Sequence, residues 1–151
     1  MRESTGMDLE TVKQESARLG MWAHIATVTP DGAPHVVAVH PSWHEDMLYT
    51  ATSPGSVKVR NLRHEPRTSF HWQVGDTTGF DSLIVHGTTV VVDDPALHRR
   101  LWEGVFDYDL GMFWKGPDDP GLCYLATMPT RAVVLRMFGA NGREEWLAST
   151  S

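Results

Sequence analysis

The residues best able to do chemistry lie between Tyr49 and Trp72, in YTATSPGSVKVRNLRHEPRTSFHW. The stretch reads as a strand end, a Pro54-Gly55 turn, a short basic helix and a second strand. Thr52, Ser56 and Lys58 gather where that helix begins. A helix N-terminus presents unpaired backbone N–H groups and the positive end of the helix dipole. Hydroxyls and an ammonium added there suit a phosphate, so the segment is a candidate cradle for a phosphorylated ligand. The plainer reading is a solvated basic face formed by Lys58, Arg60, Arg63 and Arg67.

The elements that must hold this cradle follow from periodicity and turn chemistry. Asp8 to Leu19 is a predicted helix, with Gly20 as its C-cap. Trp22 to Thr29 alternates as a strand, Pro30-Asp31-Gly32 turns, and Pro34 to Trp43 returns, with Pro41 marking a strand end or bulge. A third strand spans Met47 to Thr52 and the basic helix Ser56 to His64, stopped by Glu65-Pro66. Arg67 to Val74 and Leu83 to Val92 are the fourth and fifth strands, with Gly87 at a bulge. Asp94 caps a helix predicted to reach Phe106, and residues 107–122 read as irregular. Thr130 to Phe138 is the sixth strand, followed by the Asn141-Gly142 turn and Glu145 to Leu147. Six strands at hairpin spacing with a few short helices predict a mainly β chain, a small antiparallel barrel.

Bulk properties bound the rest. The 151 residues suit one domain, residues 1–151, with a helix in residues 1–20 and the barrel in residues 21–147. A net charge of −6 argues against nucleic acid as a partner. The single cysteine, Cys123, excludes an internal disulfide and reads as a core residue. No apolar run approaches the ~20 residues that span a membrane, and MRESTGMDLETVKQ lacks the apolar stretch of a signal peptide. A cytoplasmic location without membrane partners is therefore expected.

In order and spacing, three segments resemble the pyridoxamine-phosphate-oxidase-like split β-barrels, the flavin and deazaflavin oxidoreductases. They are the hairpin Ala26 to Val39, the S-x-K-x-x-N-L-x-x-x-P-R run from Ser56 to Arg67, and M-P-T-R-A-V-V-L from Met128 to Leu135. The resemblance covers about Leu19 to Trp146 and implies a six-stranded antiparallel split barrel of Greek-key type. It also implies a homodimer holding flavin mononucleotide (FMN) or the deazaflavin coenzyme F-420 at each end of the subunit interface. Carried over by position, Ser56 and Lys58 would hold the cofactor phosphate, and Thr52 would end the strand beneath it. Val36, Val37, Ala38 and Val39 would run along the ring, and Asn61 matches an asparagine of the deazaflavin branch. That branch often carries a basic residue where this chain has Ser56, and the mononucleotide oxidases carry arginine where it has Val57. Both cofactors therefore stay open. No match appears to the substrate-binding C-terminal segment of a full pyridoxamine phosphate oxidase.

The resemblance implies an oxidoreductase that passes hydride to a small organic substrate, with redox chemistry supplied by the cofactor. No catalytic residue is assigned; His35, His40, His71 and His86 could each donate a proton. Arg60 and Arg63 meet either an acidic cofactor tail or water. Trp72, Trp102, Trp114 and Trp146 read as core or interface, with Trp114 the best placed to reach over a site. Two alternatives remain: a non-catalytic cofactor-binding or sequestering module, and a haem-binding split barrel suggested by eight histidines. No metal site is expected, since neither Cys-x-x-Cys nor His-Glu-x-x-His occurs.

Overall fold

A computed structural model describes residues 6–72 and 74–149. The chain begins with α1 (Leu9–Leu19), capped by the Asp8 carboxylate on the Thr11 N–H and closed by Gly20 at φ 123°. The strands follow as β1 (Ala23–Val28), β2 (Pro34–Val39), β3 (Ser42–His44) and β4 (Met47–Thr52). Helix α2 (Val57–His64) leads to β5 (Arg67–Trp72), β6 (Ser82–Val91), α3 (Pro95–Trp102), β7 (Cys123–Leu135) and β8 (Arg143–Leu147).

All pairings are antiparallel, in the order β2-β1-β5-β6-β7-β4-β3, and β8 adds to β7. The two outermost strands, β2 and β3, are only His40 and Pro41 apart in the chain. The sheet must therefore curl until its edges meet, which is the split barrel. Pro41 explains the break: it has no N–H for a ladder. Counting β2 and β3 as one bent strand leaves the six expected strands, with β8 paired antiparallel alongside the C-terminal part of β7.

Three predicted boundaries shift. Strand β7 begins at Cys123, not Thr130, because Pro129 does not interrupt it. The proline lies opposite Gly87, where the register slips between His86 and Gly87 and no ladder N–H is needed. That strand stops at Leu135, since Met137 and Phe138 take left-handed backbone angles in a turn. Helix α3 ends at Trp102, four residues earlier than the sequence suggests.

The barrel interior packs Ile25, Leu48, Phe70, Leu83, Val85, Leu125 and Val134. Helix α2 crosses from β4 to β5 and buries Val59, Asn61 and Leu62 beneath it. A second cluster lies on the opposite face of β4 and β7, where Tyr49 and Tyr124 are covered by Leu101, Leu110, Phe106 and Trp114. Helix α1 is tied on by charge: Arg136 reaches Glu15 and Asp81 at 2.8 and 3.1 Å, and Arg18 reaches the same two carboxylates at 2.8 Å. Burial alone would raise the Glu15 and Asp81 carboxyls, but hydrogen bonds outweigh it and hold both below their ordinary values.

Two measurements test this packing. A Cβ on Gly87 would stand 2.5 Å from the Met128 carbonyl oxygen and 2.9 Å from Thr127 Cγ2. Gly87→Ala should therefore destabilise the fold by about 1–3 kcal/mol in denaturant unfolding. Arg136→Ala should cost about 1–3 kcal/mol at pH 7. Carboxyls with lowered folded values stabilise above their unfolded values and lose that contribution as pH falls. The gap between wild type and Arg136→Ala should accordingly shrink below about pH 4.

Candidate functional site

The cradle is built where β4 hands the chain to α2. Thr50 and Thr52 alternate onto one face of β4, both buried, and Thr52 pairs with Cys123 on β7. The chain then turns, with the Ser56 N–H bonded to the Ser53 carbonyl at 3.1 Å, and the helix starts. Ser56 holds the N-cap position, yet its hydroxyl caps nothing. Its Oγ is buried without a partner, as is Thr50 Oγ1 on a side chain only 1% exposed. Buried hydroxyls are ordinarily hydrogen-bonded, so the orphaned Ser56 hydroxyl at the helix end points to a polar group that completes it.

Lys58 is half-buried at the second position of the same helix, and no carboxylate among the described residues pairs with it. Burial pushes its ammonium below the ordinary value, against a smaller opposing pull from Cys123. Burial likewise raises the Cys123 thiol, partly offset by Arg63 and Lys58. The thiol is thus a neutral wall of the site. A desolvated ammonium without a counter-ion is costly, and an anion at the helix N-terminus would relieve it.

The proposed ring strand divides by face. Val36 is 58% exposed and Ala38 is exposed, whereas Val37 is half-buried against the core and Val39 is buried. Among the described residues β2 pairs only with β1, so its other edge offers free N–H and C=O groups. Asn61 lies elsewhere: it is fully buried and donates from Nδ2 to Thr27 Oγ1 on β1 at 3.1 Å. It fastens α2 to the barrel and faces inward. Arg60 and Arg63 are exposed. Trp114 packs into the second core and donates to the Gly121 carbonyl at 2.8 Å.

The histidines also separate. His24 and His71 stack across β1 and β5 at 6.4 Å, and burial, then His24, lowers His71. His86 Nδ1 lies 2.7 Å from Ser69 Oγ, beside a cleft of about 520 Å³, and burial, then Arg131, lowers it. His35 Nδ1 is buried without a partner, and His40 lies against Asp107. Thr50 and Asp107 carry no signal in the sequence, since their surroundings come from β7 and the irregular segment.

The chain and its barrel match known proteins. The pyridoxamine 5'-phosphate oxidase family model matches residues 21–130, most of the chain. No curated protein matches. Among solved structures, an FMN binding protein related to pyridoxamine 5'-phosphate oxidase from Nostoc punctiforme superimposes with TM-score 0.64 at 15% identity, covering 93% of both chains. An F420 reductase gives TM-score 0.55 at 24% identity, covering 74% of this chain and 88% of its own. A heme binding protein from Mycobacterium smegmatis gives 0.73 at 14% identity, covering 93% of this chain and 58% of its own. At these identities the structural likeness is one of fold. The family model, spanning the hairpin, the cradle and the first half of β7, carries the assignment: the chain belongs to the pyridoxamine 5'-phosphate oxidase family.

Proposed function

We propose that this protein is an oxidoreductase that binds FMN or coenzyme F-420 and passes hydride to a small organic substrate. The observation that carries the reading is the unpartnered Ser56 hydroxyl beside the unpaired, half-buried Lys58 at the start of α2. A phosphate fits this set: it accepts from hydroxyls and backbone N–H groups and supplies the missing counter-charge. The FMN-binding and F420-reductase neighbours point to the same two ligands. When bound, either ring supplies hydride. The protein's part is to anchor the phosphate through Ser56 and Lys58, to offer the Val36–Val39 edge to the ring, and to exclude water.

A homodimer is part of the proposal. Val36 and Ala38 leave an apolar outer strip on β2, with Trp22 exposed at the strip's β1 end. A second copy would cover this strip. Sedimentation at micromolar concentration should show twice the 16.9 kDa chain mass; a monomer would contradict an interface site.

The central test is a fluorescence titration with FMN and F-420 separately. Lys58→Ala should weaken binding at least about tenfold, since a charge-assisted contact contributes about 1.5–3 kcal/mol. Binding should also weaken at high pH, where a lysine with a lowered value loses its proton first. If neither ligand bound below ~100 μM, or Lys58→Ala changed nothing, the cradle would be misassigned. A cofactor that binds but is never reoxidised by an added acceptor would make the protein a binding module.

A further inference from the structure

We infer that the His24–His71 pair makes the association of two copies pH-sensitive, permitting it near neutral pH and opposing it in mild acid; this rests on the homodimer reading above. Strand register places the pair. His24 on β1 lies opposite Ala38 of the apolar β2 strip on one side and opposite His71 of β5 on the other. The two imidazoles stack at 6.4 Å and 22°. Both are half-buried on the outer face, because their chain neighbours Ala23, Ile25, Phe70 and Trp72 turn into the core.

A second copy seated on the strip also covers the pair. From β2 to β5 is two strand spacings, about 10 Å. A stable interface takes about 800 Å² from each partner, a square patch roughly 30 Å wide. Since β2 is the outermost strand, such a patch spreads over β1 and β5.

The acids around this face are engaged elsewhere. On β2 the outward positions are Val36 and Ala38, and beyond the strand end Asp107 rests against His40. Along β5, Arg67 is bound to Glu65. On β6, Ile84 stands opposite His71 and His86 opposite Ser69, while Asp81 just before the strand is taken by Arg18 and Arg136. Further across, Arg131 of β7 stands opposite His86, and Glu145 of β8 is bound to Arg131 at 2.8 Å and Arg143 at 2.6 Å. An imidazolium at His24 or His71 therefore meets other cations and hydroxyls on its own face.

Burial, then the facing His24, already holds His71 below its ordinary value, so this ring is neutral near pH 7. In acid each ring takes up a proton, and like charges directly opposite across a ladder repel. A covering copy removes the water that screens them. The associated chains consequently hold fewer protons than the free ones. Imidazoles whose values fall on association favour it above their free-chain values and oppose it as pH drops through them. One proton excluded per copy raises the dimer Kd by up to about a hundredfold per pH unit below the imidazole range.

The test is sedimentation equilibrium at about pH 7.5 and about pH 5.5, on either side of the imidazole range. Wild type should form a dimer of the 16.9 kDa chain at the higher pH. Its Kd should rise at least about tenfold at the lower pH, with unchanged far-UV circular dichroism. The double variant His24→Gln, His71→Gln should hold its Kd within about twofold between the two. In proton NMR of wild type, the His71 ring should titrate at lower pH in concentrated than in dilute protein, a shift that a purely structural pair does not show. A dimer whose Kd ignores pH, an equal acid loss in the double variant, dissociation accompanied by unfolding, or a His71 midpoint independent of concentration would overturn the inference and leave the homodimer standing. A wild-type monomer at both pH values would overturn both.

Discussion

The fold depends on how the barrel closes. Its outermost strands are halves of one chain path, bent at His40 and Pro41. An open sheet would leave two exposed ladders, a hazard that barrels remove. Here closure is incomplete, because proline cannot donate across the bend. The result is a β2 edge left unpaired among the described residues. The unpaired edge leaves backbone N–H and C=O groups with which a flat ligand could pair.

Around this gap the protein tolerates local costs that the rest of the structure offsets. Thr50 and Ser56 bury hydroxyls without partners, and Lys58 is partly desolvated without a counter-ion. Each is unfavourable in isolation. The barrel core and the bond from Asn61 to Thr27 hold α2 in place regardless. A ligand phosphate would therefore find its partners already oriented, with little left to order on binding.

The segment between α3 and β7 works by a different means. It has almost no regular structure, yet Phe106, Tyr108 and Trp114 bury against the second core. Aromatic packing replaces ladder hydrogen bonds and fixes Asp107 beside His40. On the far side of the barrel, Arg136 joins α1 to β6 and β8 through Glu15, Asp81 and Glu144. The regions nearest the site are thus anchored by side chains, which lets loop residues approach the seam.

Local chemistry was legible in the residues themselves. Asp8 and Gly20 bounded α1, alternation marked β1, Gly87 marked the bulge, and Ser56 with Lys58 marked the helix end. These features depend on neighbours a few positions away, so spacing reveals them. Tertiary structure decided what depends on distant partners. Strand β7 runs through Pro129 because Gly87 on β6 relieves the ladder there. Asn61 turns inward because Thr27, 34 residues away, accepts its amide. His40 acquires Asp107 because aromatic burial folds an irregular segment back over the barrel. No periodicity encodes such contacts; they exist only once the core has brought the strands together.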